Sequence, residues 1–177
     1  MTPAIWRWFE RLETQKQKVL TDVAGLSAAQ LHFRPEPTAW SVPDVLDHLI
    51  KVEKALLEAV QDQLPNGTAL KFKDRVGASF IIAVMHSPMR VKVPPSASMV
   101  MPAATKDLPA YAASWSEVRE KTARLLGSLQ AAQMRIGLFR HQVSGWMTIT
   151  DTLRFLSAHL RHHHYQLSRL KSAARAI

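Results

Sequence analysis

Apolar residues recur at spacings of three and four along four long segments of this chain, which is the period of a helix with one buried face. The first predicted helix has Thr2 as its cap and Pro3 in its first turn, and it runs to about Asp22. The second begins at a capping box formed by Ser41 and Asp44, and it ends before the turn residues "LPNG".

The third predicted helix runs from about Leu108 to Gln130. The fourth begins near the capping pattern "TITD" and runs to about Ala173. Its apolar stripe is long and contains one polar member: Ile149, Leu153, Leu156, Leu160, His163, Leu167 and Leu170. A histidine on such a stripe is predicted to be buried with the leucines.

Residues 68–106 have a less regular pattern. The stretch "LKFKDRVGASFIIAVMHS" predicts a short helix packed across the end of a bundle, followed by an extended proline-bearing connector, "PMRVKVPPSASMVMPAATKD". We expect "LFRHQVSGWMT" to be a loop or bent connection, and "MRVKVP" to form at most a short strand. The fold class is therefore all-α: one domain over residues 1–177, a bundle of four main helices with a long crossover between the second and third.

Composition narrows the class of protein. Hydrophobic residues make up 47% and charged residues 21% of the chain, as in ordinary globular proteins. The absence of cysteine excludes disulfides, thiolate metal sites and cysteine nucleophiles. The N-terminal residues lack a signal-peptide layout, and the longest apolar run, "ASFIIAVM", is too short to span a bilayer. We expect a cytoplasmic protein without a membrane partner.

The formal net charge of +9 favours an anionic partner. The 23 lysines and arginines are nevertheless spread along the chain, and nucleic-acid fingerprints are missing. We expect a small-molecule substrate rather than nucleic acid, and a homodimer is a reasonable expectation although no interface is readable from the sequence. A basic helical nucleic-acid binder stays as the weaker alternative.

Half of the eight histidines lie in "AHLRHHHYQL", within the fourth helix. Each residue turns a helix by about 100°, so His163 falls in the apolar seam and His159 at its edge, one turn earlier. By the same count His162 points away from the core and His164 falls at the opposite edge. The pair His159 and His163, at i and i+4, is the arrangement in which two imidazoles reach one metal ion.

A catalytic metal usually has a third protein ligand, and His48 in the second helix is the obvious candidate. Three histidines in or near loops compete with it: His32, His86 and His141. Asp47 and Glu53 could accept an imidazole N–H, although Asp47 is expected to face solvent. The alternative for all of these histidines is an ordinary surface or hydrogen-bonded core position.

Two motifs resemble the DinB/YfiT-like superfamily over nearly the whole chain. The first is Trp-Ser before a helix carrying His-Leu and a glutamate five residues after the histidine, in "WSVPDVLDHLIKVE". The second is a turn similar to His-Pro-x-x-Gly, then H-x-x-x-H and a glutamine three residues further, in "HQVSGWMTITDTLRFLSAHLRHHHYQL". The resemblance implies an up-down-down-up bundle and a divalent metal, usually zinc or nickel, held by His48, His159 and His163.

The resemblance also implies a function class. Characterised members transfer low-molecular-weight thiols such as bacillithiol, mycothiol or glutathione, while a histidine-bound metal equally suits hydrolysis by activated water. We therefore predict a metal-dependent thiol transferase or hydrolase, with a non-catalytic, stress-associated metal binder as the alternative. Iron also suits a three-histidine site. Four side chains are candidate pocket neighbours, Trp40, Trp146, Tyr165 and Gln166, with core packing as the favoured alternative for the two tryptophans.

The chain departs from the family pattern at two positions. Gln142 stands where proline is common in the turn, and His162 stands where arginine is common. Neither residue is an inferred ligand. Both departures could alter the rim of the pocket. They therefore affect the substrate expected from the resemblance more than the expected metal binding.

Overall fold

The computed structural model describes residues 2–87, 95–103 and 106–176. These ranges contain six α-helices: α1 (Pro3–Ala24), α2 (Ala28–His32), α3 (Val42–Gln63), α4 (Phe72–His86), α5 (Leu108–Ser128) and α6 (Ile149–Ala173). They also contain a two-stranded antiparallel hairpin, β1 (Phe139–His141) and β2 (Gly145–Met147). The four helices predicted from periodicity are α1, α3, α5 and α6, with ends within two residues of those expected.

Contacts between α1 and α6 show that these two helices run in the same direction. The Gln15 side chain donates to the Ser157 carbonyl at 3.0 Å. Seven residues further along both helices, the Asp22 carboxylate lies 3.6 Å from the Nδ1 of His164. Residue numbers therefore increase together along both helices.

The same reasoning applies to α3 and α5, which pack together on the other side of the bundle. Tyr111 near the start of α5 is within electrostatic range of Asp47, and Arg119 two turns later contacts Glu53 at 2.6 Å. Arg119 also reaches Glu13 of α1 at 3.2 Å. The order is up-down-down-up, as expected, with the long crossover between α3 and α5.

Helix α4 lies along α6 and contacts β2, so it is an outer layer rather than a cap across the bundle end. Gly77 allows the close approach, because a Cβ there would lie 2.3 Å from the Ser144 carbonyl oxygen. The Asp74 carboxylate accepts hydrogen bonds from the backbone N–H groups of Lys71 and Trp146. These contacts fix the start of α4 on the hairpin.

The hairpin corrects the prediction of a loop over "LFRHQVSGWMT". Phe139 pairs with Met147 and His141 with Gly145, whose φ of 82° suits glycine. Each strand has only three residues, too few for an alternating pattern. The strand considered for "MRVKVP" lies outside the described residues.

The caps agree with the sequence. Thr2 and Thr148 accept backbone hydrogen bonds at the starts of α1 and α6. Ser41 and Asp44 form the capping box of α3, with Asp44 accepting from the Ser41 backbone N–H at 2.8 Å. Within the described residues, no helix combines the length and apolar character needed to cross a membrane.

Candidate metal centre

The candidate centre lies where α3 packs against α6. His48 is in the second turn of α3, and His159 and His163 occupy successive turns of α6. All three side chains are buried, with exposed fractions of 2%, 7% and 6% respectively. The structure therefore brings together the three histidines singled out from the sequence.

Their Nε2 atoms converge. The Nε2 of His159 lies 3.2 Å from the Nε2 of His48 and 3.1 Å from the Nε2 of His163. One ligand atom from each residue lies within 4.8 Å of the other two. Zinc–nitrogen bonds of about 2.0–2.1 Å at tetrahedral angles imply nitrogen–nitrogen separations of about 3.3–3.4 Å, close to these values.

Hydrogen bonds on the far side of two rings orient these nitrogens. The Nδ1–H of His48 donates to the Val100 carbonyl at 2.8 Å. The Nδ1 of His163 lies 2.8 Å from Gln166 Oε1, to which it donates. Since each neutral ring carries one hydrogen, both Nε2 atoms are left as lone-pair donors facing His159. Either one hydrogen on the His159 Nε2, shared between the lone pairs of His48 and His163, or one cation bound by all three nitrogens can satisfy this arrangement.

Burial keeps the three rings neutral. Desolvation is the largest cause that lowers the pKa of His48, and the Val100 hydrogen bond and Asp47 partly oppose it. Desolvation lowers the pKa of His163 to about 3, with the charge of His48 as the next cause. The pKa of His159 lies well below its usual value for the same reason. Neutral imidazoles are the form that binds zinc, nickel or iron, so the donor set fits a divalent metal.

The competing histidines do not join this cluster. His32 and His86 are exposed. The Nδ1 of His141 accepts the backbone N–H groups of Val143 and Ser144, both at 3.3 Å. The His141 ring lies edge-on to Phe155, whose ring stacks on His159, and the His141 charge is among the causes that lower the pKa of His159. His141 therefore lies beside the cluster but contributes no ligand atom to it.

The prediction for His162 is wrong. It is buried, because α4 covers the side of α6 on which it lies. Its Nδ1 is 3.4 Å from the Ser87 carbonyl, and its ring lies 5.2 Å from that of His163. His162 thus packs directly behind one candidate ligand. His164, half-buried beside Asp22, fits its predicted place outside the cluster.

The two acidic residues proposed as supports also differ from expectation. Asp47 is buried rather than facing solvent, and its carboxylate accepts from the Ala103 N–H at 3.0 Å and from Lys51 at 2.9 Å. These contacts tie the end of the crossover to α3 next to His48. Glu53 binds Arg119 through both carboxylate oxygens and so does not support an imidazole.

Two of the four expected pocket neighbours border the cluster. The Trp40 ring lies 4.9 Å from the His48 ring and stacks parallel to His163 at 6.1 Å. Gln166 is the hydrogen-bond partner of His163. Trp146 instead packs on Gly137, and the Tyr165 hydroxyl accepts from Arg161 on the other side of α6.

A similar fold is known from a solved structure. YfiT from Bacillus subtilis superposes with a TM-score of 0.61 at 17% sequence identity, over 98% of this chain and 89% of that chain. It is described as "a probable metal-dependent hydrolase with an unusual four-helix bundle topology". At this identity the likeness establishes the fold.

Family membership comes from the sequence itself. No curated protein matches the chain significantly. The family profile of the DinB superfamily matches residues 11–167, a span that includes all three clustered histidines. This chain belongs to the DinB superfamily.

Proposed function

We propose that this protein is a metal-dependent enzyme, a hydrolase or a thiol transferase. His48, His159 and His163 would hold one divalent ion, with zinc or nickel as the first candidates and iron as another. The observation that carries the proposal is the convergence of three buried, neutral Nε2 atoms, two of them fixed by oxygen acceptors on the opposite ring nitrogen. A bound divalent ion supplies Lewis acidity that lowers the pKa of water or of a thiol.

The residues of the chain have separate tasks in this proposal. Val100 and Gln166 keep the hydrogens of His48 and His163 on Nδ1 and so hold both Nε2 lone pairs inward. The Trp40 ring covers two of the imidazoles and limits access of bulk water from its side. Asp47 and Lys51 hold the end of the crossover, which carries the Val100 carbonyl, against α3.

The thiol route requires a cosubstrate. Because the chain has no cysteine, any thiol must come from a small molecule such as bacillithiol, mycothiol or glutathione. The positive net charge suits the thiols of this group that carry carboxylates, bacillithiol and glutathione. The alternative is a protein that binds the metal without turnover, and the near-complete burial of the three rings is the observation that favours it.

The test uses full-length protein purified without a histidine tag, because a tag scavenges nickel. Elemental analysis should give about one divalent ion per chain. Turnover is then screened with ester and amide substrates, and with each of the three thiols plus an electrophile, before and after chelation. Activity that disappears with the metal and returns on adding it back supports the enzyme. Stoichiometric metal without turnover favours the non-catalytic alternative, and absence of metal contradicts both.

A further inference from the structure

A second feature is a row of arginines on the outer side of α6, between α1 and α4, made of Arg11, Arg154 and Arg161. It is called here the arginine groove. At the start of α6 it widens into a depression of about 450 Å³. The lining residues come from four segments: Leu70, Arg75, Ser79, Arg135, Thr148 and Asp151. Asp151 is the only acidic residue in this lining, against two arginines.

The groove continues along α6. Arg154 contacts Asp151 at 3.4 Å, and Arg161 follows seven residues later, which is two helical turns or roughly 10 Å on the same face. Arg11 of α1 lies beside the same face of α6, since Gln15, one turn further along α1, donates a hydrogen bond to the Ser157 carbonyl of α6. The convergence is therefore a consequence of how α1 docks on α6.

His86, at the end of α4, marks the other wall. Its pKa is lowered by desolvation first, and then by the positive charges of Arg161, Arg11 and Arg154. Three guanidinium groups, two from α6 and one from α1, therefore lie close enough to the His86 ring to lower its pKa. Their mutual repulsion in the absence of an anion is an unfavourable term that a bound anion would remove.

Aromatic rings hold two of these arginines in place. The Arg11 guanidinium lies over the Trp8 ring at 5.4 Å, and the Arg161 guanidinium lies over Tyr165 at 5.8 Å. Arg161 also donates to the Tyr165 hydroxyl at 3.1 Å. In the described part of the chain neither arginine has a carboxylate partner. Stacking orders the guanidinium plane without neutralising it, which prepares it for bidentate bonds to phosphate oxygens.

We propose that the arginine groove binds a soluble molecule with two or three linked phosphate groups. The arginines extend from the depression, which Asp151 lines, to Arg161, ten residues or roughly 15 Å further along α6. One phosphate therefore reaches only neighbouring arginines, whereas an oligophosphate contacts them in succession. The groove is independent of the metal centre. Arg161 projects from α6 about 200° around the helix axis from His159, so the two sites face opposite sides.

The test is calorimetric titration of the full chain with inorganic orthophosphate and inorganic triphosphate. We compare the wild type with R161E and with R124E, which makes the same charge change at an exposed arginine on α5. Triphosphate should bind at least tenfold more tightly than orthophosphate. R161E should weaken triphosphate binding by tenfold or more and R124E by less than about twofold, because charge-assisted hydrogen bonds are lost only in the groove.

Two further arms complete the design. His163→Ala should leave triphosphate binding unchanged, and loss of binding there would overturn the proposal in favour of phosphate bound at the metal centre. Equal losses in R161E and R124E, or equal affinity for orthophosphate and triphosphate, would overturn it as non-specific attraction. A single-stranded oligonucleotide that binds tenfold more tightly than triphosphate, and loses this in R161E, would overturn the assignment to a small molecule.

Discussion

The Nε2 atoms of His48 and His159 lie 3.2 Å apart, although 111 positions separate the two residues in the sequence. The contact depends on where α3 and α6 begin, because each turn of one helix must lie level with a turn of the other. Capping interactions at Ser41 and Thr148 fix those starting points. The candidate centre is therefore a product of helix packing, and it should fail when any one of the three rings is removed.

Replacement of His163 by alanine should lower the metal content from about one ion per chain to less than about a tenth, since a two-histidine remainder binds divalent ions weakly. Elemental analysis of tag-free protein measures this, with circular dichroism to check helicity. His164→Ala is the matched control, because that neighbour lies outside the cluster and should keep its metal. Full metal content in a folded His163→Ala variant would contradict the assignment of the ligands.

Gln166 should act on metal affinity through His163. Its Oε1 accepts the Nδ1 hydrogen at 2.8 Å, and removing such a partner costs about 10- to 100-fold in affinity. We expect that loss in Gln166→Ala, measured by competition with a chromogenic chelator. Gln166→Glu retains the acceptor and should restore most of the affinity. Equal affinities for wild type and Gln166→Ala would show that Gln166 does not orient the ring.

The buried ion pair between Arg119 and Glu53 should control stability. Arg119 donates to the two Glu53 oxygens at 2.6 and 2.7 Å, and both side chains are 3% exposed. Arg119→Met leaves the Glu53 charge buried and should cost about 3–5 kcal/mol in urea unfolding. The double variant Arg119→Met/Glu53→Met should recover much of this, because no charge is then left unpaired.

A surface pair provides the comparison for that experiment. Lys121 and Glu117 form an i, i+4 ion pair within α5, and both side chains are exposed. Lys121→Met should change the free energy of unfolding by less than about 1 kcal/mol. If Arg119→Met cost no more than Lys121→Met, the buried pair would not be what fastens α5 to α3.

The sequence was informative where a single helix determines the outcome. Apolar periodicity and capping residues located the main helices, because both signals are local. The shared face of His159 and His163 follows from helical geometry alone. His48 was favoured over His141 because it lies within a helix whereas His141 lies in or near a loop, and the family resemblance implied the same choice.

Properties that depend on neighbouring elements were not predictable in this way. His162 was expected to point away from the core because helical geometry considers α6 alone. In the structure α4 packs on the side of α6 that carries His162. Asp47 was expected in solvent, but the end of the crossover lies over it and donates the Ala103 N–H. The hairpin was not predicted because strands of three residues are too short to show an alternation of apolar and polar positions.

The low pKa of His163 predicts acid sensitivity of the metal-free protein. The folded-state pKa of about 3 lies below the usual value of 6.5, so between these values the unfolded chain binds more protons than the folded chain. The His163 contribution to stability is therefore fully present above pH 6.5 and is lost as the pH is lowered towards 3. At pH 5 the loss from this one group is about 2 kcal/mol. Urea unfolding at pH 7.5 and pH 5 in the presence of EDTA measures it.

His163→Asn is the appropriate comparison, because the substitute is polar, uncharged and unable to titrate. The drop in free energy of unfolding between pH 7.5 and pH 5 should be about 2 kcal/mol smaller in this variant than in the wild type. His48 and His159 titrate in both proteins, so the difference reports the His163 contribution together with its coupling to these two neighbours. An identical drop in the two proteins would mean that burial of the His163 ring does not oppose its protonation, and that the neutral donor set must be maintained by the other two histidines.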